Sequence, residues 1–269
     1  MAEASKGPEN EDMEVAMDFQ VAGAIVPGAK FVFYFAENTG QGFIDVMQRA
    51  VFDPVHKPSI VSVSWGAPEV GWPKKAAEAM AQIINLGAAL GVTVLISSGD
   101  LGATEGLCNG ALTPAIPASV PWCLSCGGTR LTAEDGRYGS EVVWGRLADN
   151  GGATGGGISS YFPLPAYQQQ AGVPPVPVPG TTGFVMPKVA DHCELPRNKP
   201  WPNYFDVNGG FAGRGVPDVS AVADAQTGYL MYVHDTWMVK GGTSAVSPLW
   251  ACLLYTSPSP RDERRYLVC

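Results

Sequence analysis

Apolar residues recur along the chain with two spacings, one typical of helices and one typical of buried strands. The helical spacing predicts helices over residues 14–24, 43–52 and 74–90, and Pro27-Gly28 ends the first of them. Short, nearly continuous apolar runs predict strands over residues 30–36, 60–65 and 91–97. Helices that alternate with apolar strands favour an α/β fold with a doubly wound, mostly parallel sheet flanked by helices.

Functional residues in such sheets gather at the carboxyl ends of the strands. Those ends here are Ser64-Trp65-Gly66 and Ser98-Gly99-Asp100. Later in the chain, the strand-like residues 229–239 are followed by Gly241-Gly242-Thr243-Ser244-Ala245 and a short apolar run. A serine at a glycine-lined turn into a helix projects its hydroxyl, and backbone N–H groups there stabilise an oxyanion. Ser244 is therefore the candidate nucleophile.

A serine nucleophile requires a base, and the chain offers two kinds. Its three histidines, His56, His192 and His234, do not follow a predicted strand in a catalytic context, and we interpret them as surface or loop residues. Glu14 and Asp18 are four residues apart and share one face of the first predicted helix. Two close carboxyls share a proton, which raises one pKa and provides a base in acid. Taken alone, the pair also fits a solvated helix face.

Composition excludes several classes of function. The chain has 269 residues, 17 basic and 25 acidic, without a basic cluster that would bind nucleic acid or an anionic membrane. No apolar run reaches the roughly 18 residues of a membrane span, and the polar, acidic start is not a secretory signal. With 33 glycines and 23 prolines, a loop-rich globular protein is expected.

Two further motifs have alternative readings. Cys123-Leu-Ser-Cys126 has the spacing of a zinc or redox site, but without a second such motif we favour a buried thiol pair beside a strand. The glycine-rich residues 151–159 lack the Lys-Ser/Thr ending of a phosphate-binding loop, so we favour a structural loop. A nucleotide-binding α/β protein remains a third reading of the whole chain.

Nine segments, in order along the chain, carry a family resemblance. They are EVAMDFQVAGA (14–24), VSWGAPE (63–69), SGD (98–100), IPASVP (116–121), CGGTRL (126–131), residues 151–159, YFPLP (161–165), GRGVPD (213–218) and GTSAV (242–246). Together they resemble the sedolisin family of serine-carboxyl peptidases and look closest to its kumamolisin branch. The resemblance implies a subtilisin-like fold, extended polypeptide substrates, and secretion or an acidic organelle.

The same resemblance assigns roles to individual residues. It makes Ser244 the nucleophile, Glu14 its general base, Asp18 the group that orients Glu14, and Asp100 the oxyanion-site acid. It also makes Ser64, Trp65 and Gly66 the segment that binds the substrate backbone. Because Asp100 donates a hydrogen bond only when protonated, we expect hydrolysis through an acyl-enzyme with an optimum well below neutral pH.

The chain departs from the family pattern in its specificity pocket and at both ends. Ala115 stands where kumamolisin-like enzymes often carry an acidic residue, which argues against a preference for basic side chains. We interpret residues 1–12 as a polar leader, 13–251 as a partial catalytic domain with a Pro-rich insertion at 172–213, and 252–269 as an atypical tail, foreign or frameshifted. The family implies calcium, but its ligand loop is absent from this chain, and a propeptide is expected in the full-length parent. The expectation is therefore an incomplete fragment, truncated at both ends. A tripeptidyl peptidase and a noncatalytic peptide-binding relative are the alternatives.

Overall fold

A computed structural model describes residues 7–107, 112–145, 151–176 and 210–257, with side chains from residue 11 onward. Its α-helices are α1 (Gly7–Ile25), α2 (Gly40–Val51), α3 (Lys74–Ala89) and α4 (Thr243–Thr256). Its strands are β1 (Ile60–Val63), β2 (Ala67–Pro68), β3 (Thr93–Ser97), β4 (Ala115–Ile116), β5 (Leu124–Glu134), β6 (Arg137–Val143), β7 (Gly157–Pro163), β8 (Gly213–Val216), β9 (Val219–Val222), β10 (Tyr229–Val233) and β11 (Thr236–Lys240).

The central sheet is mostly parallel, as the alternating pattern predicts. Strands β1, β3, the first half of β5, and β9 pair in parallel, and the second half of β5 pairs antiparallel with β6. Small two-stranded sheets join β2 to β4, β7 to β8, and β10 to β11. The parallel strands place their carboxyl ends at one edge, where the candidate residues lie.

Strand β3 shows why helices cover both faces of the sheet. Val94 and Ile96 pack in one cluster with Met47 of α2 and Ile84 of α3. Leu95, which points to the opposite face, packs in another cluster with Val246 of α4. An almost wholly apolar strand is thus buried on both sides, which explains why its sequence shows no polar alternation.

Helix α1 packs on α4 and on the β10–β11 hairpin. Met17 and Val21 of α1 share a buried cluster with Met231 and Val233 of β10 and with Ala245 of α4. Gln20 adds two hydrogen bonds to the backbone of Tyr232. This packing places the acidic face of α1 beside the first turn of α4.

Two sequence predictions fail for reasons of tertiary context. Residues 30–36, predicted as a strand, form no regular structure, because no described strand pairs with them; Phe31 packs beside Ala22 and Val26, whereas Phe35 is 76% exposed. Residues 229–239 form a hairpin instead of one strand, because His234 and Asp235 take φ of 49° and 56° and turn the chain.

Other predictions differ at boundaries or lie outside the described residues. Helix α1 begins at Gly7, earlier than the apolar spacing predicts. The described residues do not include most of the Pro-rich insertion, His192, or the tail from Pro258 onward.

Candidate active site

The candidate site lies where the carboxyl ends of β1 and β3 meet the start of α4. Ser64 directly follows β1, and Asp100 lies three residues beyond the end of β3. Ser244 is the second residue of α4 and is buried. The Ser97 hydroxyl at the end of β3 donates to the carbonyl of Thr243 at 2.8 Å. The first turn of the helix is thereby attached to the strand end.

Asp100 is held by the first turn of α4 through one of its two oxygens. The N–H of Thr243 donates to Oδ1 at 2.7 Å, and the Thr243 hydroxyl lies 2.8 Å from the same atom. A Cβ on Gly242 would stand 2.7 Å from the other oxygen, Oδ2, and Gly242 has φ of 132°, so glycine is required there. Burial raises the pKa of Asp100 against these hydrogen bonds. Since Oδ1 accepts from Thr243, the proton of a neutral Asp100 belongs on Oδ2.

Glu14 and Asp18 bring two more carboxyls to Ser244 from α1. The pKa of Glu14 is raised to about 8, chiefly by burial and then by the charge of Asp18; a hydrogen bond with the Ser244 hydroxyl lowers it, and the charge of Asp100 also raises it. Burial also raises the pKa of Asp18, to about 7, against a hydrogen bond from Ser64. Glu14 Oε1 is buried and has no hydrogen-bond partner among the described residues. A carboxyl in this state is a basic proton acceptor beside a hydroxyl.

The segment after β1 provides both a half-buried and an exposed part of the site. The Ser64 hydroxyl donates to Asp18 Oδ1 at 2.7 Å and lies 3.2 Å from the carbonyl of Ser244. Trp65 is 44% exposed, and a Cβ on Gly66 would meet the carbonyl of Ile116 at 3.0 Å. The structure therefore brings Ser64, Asp18 and Ser244 together, while Trp65 faces solvent.

The two histidines in the described part of the chain belong to other regions. His56 is exposed, and its Nδ1 lies 3.2 Å from Lys30 Nζ. His234 is exposed in the β10–β11 turn. The Ser244 hydroxyl is instead hydrogen-bonded to the Glu14 carboxyl, which Asp18 and Asp100 influence by their charge.

Sequence reasoning missed two residues next to Asp100. Thr243 was part of a recognised motif, but only the structure shows that its N–H and hydroxyl engage the acid. Glu105 is 8% exposed, and its pKa is raised to about 8 by burial and then by the charge of Asp100. The available signal was an acidic residue in a glycine-containing loop directly after a predicted strand end.

The two motifs with alternative readings are structural. The N–H of Gly155 donates to the carbonyl of Gly99 at 2.6 Å, and a Cβ on Gly155 would lie 2.0 Å from the carbonyl of Ser98. The glycines of residues 151–159 therefore allow that loop to pack on the strand end, and β7, not a helix, follows it. Cys123 and Cys126 are buried free thiols whose pKa values are raised by burial, as a buried thiol pair predicts.

The described residues contain neither a cluster of metal-ligating side chains nor a membrane-spanning helix. No group of three or more His, Cys, Asp or Glu side chains among them is arranged to hold a metal ion. None of the described helices is long and apolar enough to cross a membrane.

Comparison with known proteins gives a consistent set of relatives. Kumamolisin from Bacillus sp. (strain MN-32) is 45% identical over 92% of this chain and 39% of its own length. Sedolisin from Pseudomonas sp. (strain 101) is 29% identical over 93% of the chain and 40% of its length. Tripeptidyl-peptidase sed4 from Aspergillus fumigatus is also 29% identical, over 93% of the chain. The chain thus spans about two fifths of the length of these relatives.

The fold comparison agrees with the sequence comparison. The structure of Pseudomonas sedolisin, a serine-carboxyl proteinase complexed with two molecules of pseudo-iodotyrostatin, matches with a TM-score of 0.71 and 27% identity. The match covers 95% of this chain and 66% of that one. No family model matches the chain.

Proposed function

Because the chain belongs to the sedolisin family of serine-carboxyl peptidases, on its kumamolisin-like branch, we propose that it is the catalytic part of an acid-active serine-type endopeptidase. The single observation that carries the proposal is the buried Ser244 hydroxyl beside Glu14, a carboxyl with a raised pKa. Ser244 is the nucleophile, Glu14 the general base, and Asp18 the group that orients Glu14.

In the first half of the reaction, Ser244 Oγ attacks the carbonyl carbon of the substrate peptide bond. Its proton moves to Glu14, and Glu14 then gives a proton to the leaving amine, so that an acyl-enzyme remains. In the second half, water loses a proton to Glu14 and attacks the ester, and Ser244 regains its proton as the carboxylic acid leaves. Each half returns Glu14 to its starting state.

Asp100 stabilises the oxyanion of both tetrahedral intermediates. Its Oδ1 accepts from Thr243, which leaves a proton on Oδ2 as the hydrogen that can be donated. The donor disappears when Asp100 ionises, so this step requires a protonated acid. We therefore expect activity to fall as the pH rises through the raised pKa of Asp100, because the hydrogen-bond donor to the oxyanion is lost there.

The backbone of Ser64, Trp65 and Gly66 is proposed to pair with an extended substrate. Ala115 is fully buried in β4, opposite β2, and a methyl group there offers no charge for a basic side chain. An endopeptidase is preferred over a tripeptidyl peptidase because the kumamolisin match is the most similar of the relatives described above, although one of those relatives is a tripeptidyl-peptidase.

Further properties of the whole protein are extensions of this proposal. From the coverage of its relatives, we propose that the chain is an incomplete part of a longer peptidase made with a propeptide, working outside the cell or in an acidic organelle. Calcium is implied by the family, but the described residues do not provide a fitting ligand group, and no step is derived through it. A purified chain as efficient at pH 4 as its full-length parent would contradict the fragment proposal.

The test compares Ser244→Ala with unsubstituted protein, in the chain and in its full-length parent. Cleavage of a denatured protein is measured from pH 3 to 8, with Ser257→Ala, just beyond the other end of α4, as the matched control. We expect Ser244→Ala to abolish acid proteolysis and Ser257→Ala to retain it. Unchanged proteolysis in Ser244→Ala would refute the nucleophile. Peptide binding without cleavage in either unsubstituted protein would favour a noncatalytic relative, and a thermal shift with nucleotides would favour the nucleotide-binding reading.

A further inference from the structure

The Ser64 side chain joins three elements of the site through a single hydroxyl. Its oxygen lies 2.7 Å from Asp18 Oδ1 on α1 and 3.2 Å from the main-chain carbonyl of Ser244 on α4, while Ser64 itself follows β1. The role proposed above for this segment uses its backbone, so the side chain is unassigned.

Ser62 provides an internal comparison two residues earlier. Its hydroxyl lies 2.8 Å from the hydroxyl of Ser247, so it also links β1 to α4. Residues two apart in a strand point to the same face, and both serines indeed reach α4. The difference is that Ser64 contacts a carboxyl and Ser62 contacts another hydroxyl.

We propose that Ser64 is a positioning residue that places the negative charge of the Glu14–Asp18 pair on Asp18, by donating its hydrogen to Asp18 Oδ1. The inference rests on the proposed peptidase function and deepens it. In the singly protonated pair, Glu14 then holds the proton. Glu14 passes that proton to the charged Asp18 as it accepts the proton of Ser244, so Asp18 receives the proton that the base must give up.

The Ser64 hydroxyl has one hydrogen and two acceptors within reach, Asp18 Oδ1 and the Ser244 carbonyl. An ionised Asp18 is the stronger acceptor and also the nearer one, so the Ser64 hydrogen points to it. When Asp18 is protonated, its own hydrogen can point to Ser64 Oγ, and the Ser64 hydrogen then turns to the Ser244 carbonyl. Ser64 thereby links the charge of Asp18 to the backbone of the nucleophile.

Few other groups compete for this role among the elements packed on Asp18. Helix α1 contributes Glu14 itself. Asp100, after β3, acts on Glu14, and Tyr229 of β10 packs on the buried cluster of α1 with its pKa raised to about 12 by burial. Described residues 243–256 of α4 include no acidic or basic side chain. Burial opposes ionisation of Asp18, and the Ser64 hydroxyl is the hydrogen bond that favours it.

Removing this hydroxyl has a defined direction. Without Ser64, the charged form of Asp18 loses its donor, so the singly protonated pair forms only at higher pH. The acid limb of the activity profile is expected to move upward by about one pH unit. We expect a fall in kcat and little change in KM, because the backbone that binds the substrate is retained. The alkaline limb, which depends on Asp100, is expected to stay in place.

The experiment measures the titration of Asp18 directly, by carboxyl carbon NMR on the full chain, with Asp18→Asn assigning the signal. Ser64→Ala is compared with Ser64→Thr, which retains a hydroxyl, and with Ser62→Ala, which removes a serine hydroxyl that contacts no carboxyl. We expect the midpoint to rise by about one pH unit in Ser64→Ala only. The pH profile of proteolysis is recorded in parallel for the same variants of the full-length parent.

The outcomes distinguish a positioning role of Ser64 from a merely structural one. An unchanged midpoint in Ser64→Ala, or an equal rise in Ser62→Ala, overturns the proposal. If Ser64→Ala does not fold, the proposal requires that Ser64→Thr fold and titrate like the unsubstituted chain, and a shifted midpoint in that variant overturns it. A midpoint that rises in Ser64→Ala, while the unsubstituted full-length parent cleaves no peptide at any pH, supports the positioning role and refutes the peptidase function.

Discussion

Two regions of this molecule hold acid side chains whose pKa values are shifted in opposite directions. Asp53, after α2, accepts hydrogen bonds from the N–H groups of Val55 and His56 and from the Tyr34 hydroxyl. Its pKa is lowered to about 2, chiefly by the Val55 N–H. Glu14 and Asp18 have pKa values raised to about 8 and about 7, because burial outweighs the few hydroxyls that they contact. The number of donors therefore separates a permanently charged structural acid from a pair that binds and releases a proton.

Glu69 shows that donors alone do not make a carboxyl acidic. It accepts from the Ser159 hydroxyl and from both the N–H and the hydroxyl of Ser160, yet its complete burial still raises its pKa. Its hydrogen bonds attach the turn after β2 to β7. Burial and donors thus act separately, and Glu14 combines burial with an oxygen, Oε1, that has no hydrogen-bond partner among the described residues.

The largest expected effect is on activity. Glu14→Gln removes the proton acceptor while retaining the shape of the side chain, so kcat is expected to fall by roughly 10³-fold. Asp53→Asn, the matched change in the other group, is expected to alter kcat by less than about twofold, because Asp53 does not contact the site. Steady-state proteolysis at pH 4 by the full-length parent measures both, and a comparable loss in the two variants would erase the functional distinction.

A smaller effect concerns stability at neutral pH. The folded-state pKa of Glu14 lies above its ordinary value of 4.5, so its contribution is complete below pH 4.5 and is lost as the pH rises toward about 8. Glu14→Gln cannot ionise, and its melting temperature should therefore decline less between pH 4.5 and 8 than that of the unsubstituted chain. Thermal unfolding at several pH values measures the difference, which should amount to a few degrees. Parallel curves would show that Glu14 is not buried as a neutral acid.

The smallest expected effect is the pH dependence of the stability that Asp53 contributes, which runs in the opposite direction to that of Glu14. The folded-state pKa of Asp53 is depressed, so its contribution is present above pH 3.8 and is lost as the pH falls through about 2. Asp53→Asn should lower the melting temperature by a few degrees at pH 5 and by less at pH 2. Calorimetry at the two pH values is the measurement. A deficit that grows toward pH 2 would contradict the assignment of Asp53 as a charged structural acid.

The spacing of apolar residues predicted the helices and strands that depend mainly on their own sequence. Helices α2 and α3 and strand β3 follow from apolar spacing, because each buries one stripe or both faces against the core. The strand predicted at residues 30–36 failed because a strand is defined by its hydrogen-bonded neighbour, which apolar sequence does not specify. The hairpin turn was missed because His234 and Asp235 adopt positive φ without the glycine that usually announces such a turn.

The sequence identified the candidate residues, but not the hydrogen bonds and packing contacts between them. The motifs marked Glu14, Asp18, Asp100 and Ser244 by spacing and family resemblance. That Thr243 engages one oxygen of Asp100, that Ser64 donates to Asp18, and that Glu105 is buried near Asp100 depends on contacts between elements far apart in the chain.

Sequence by itself determined the family, the order of helices and strands, and the identity of the acid and hydroxyl groups, since these depend on residue type and on spacing along one chain. Only the tertiary structure decided which of those acids are deprived of water and which hydrogen-bond donors they meet. Proton affinity depends on both, and both are produced by packing α1, the strand ends and α4 around a single serine.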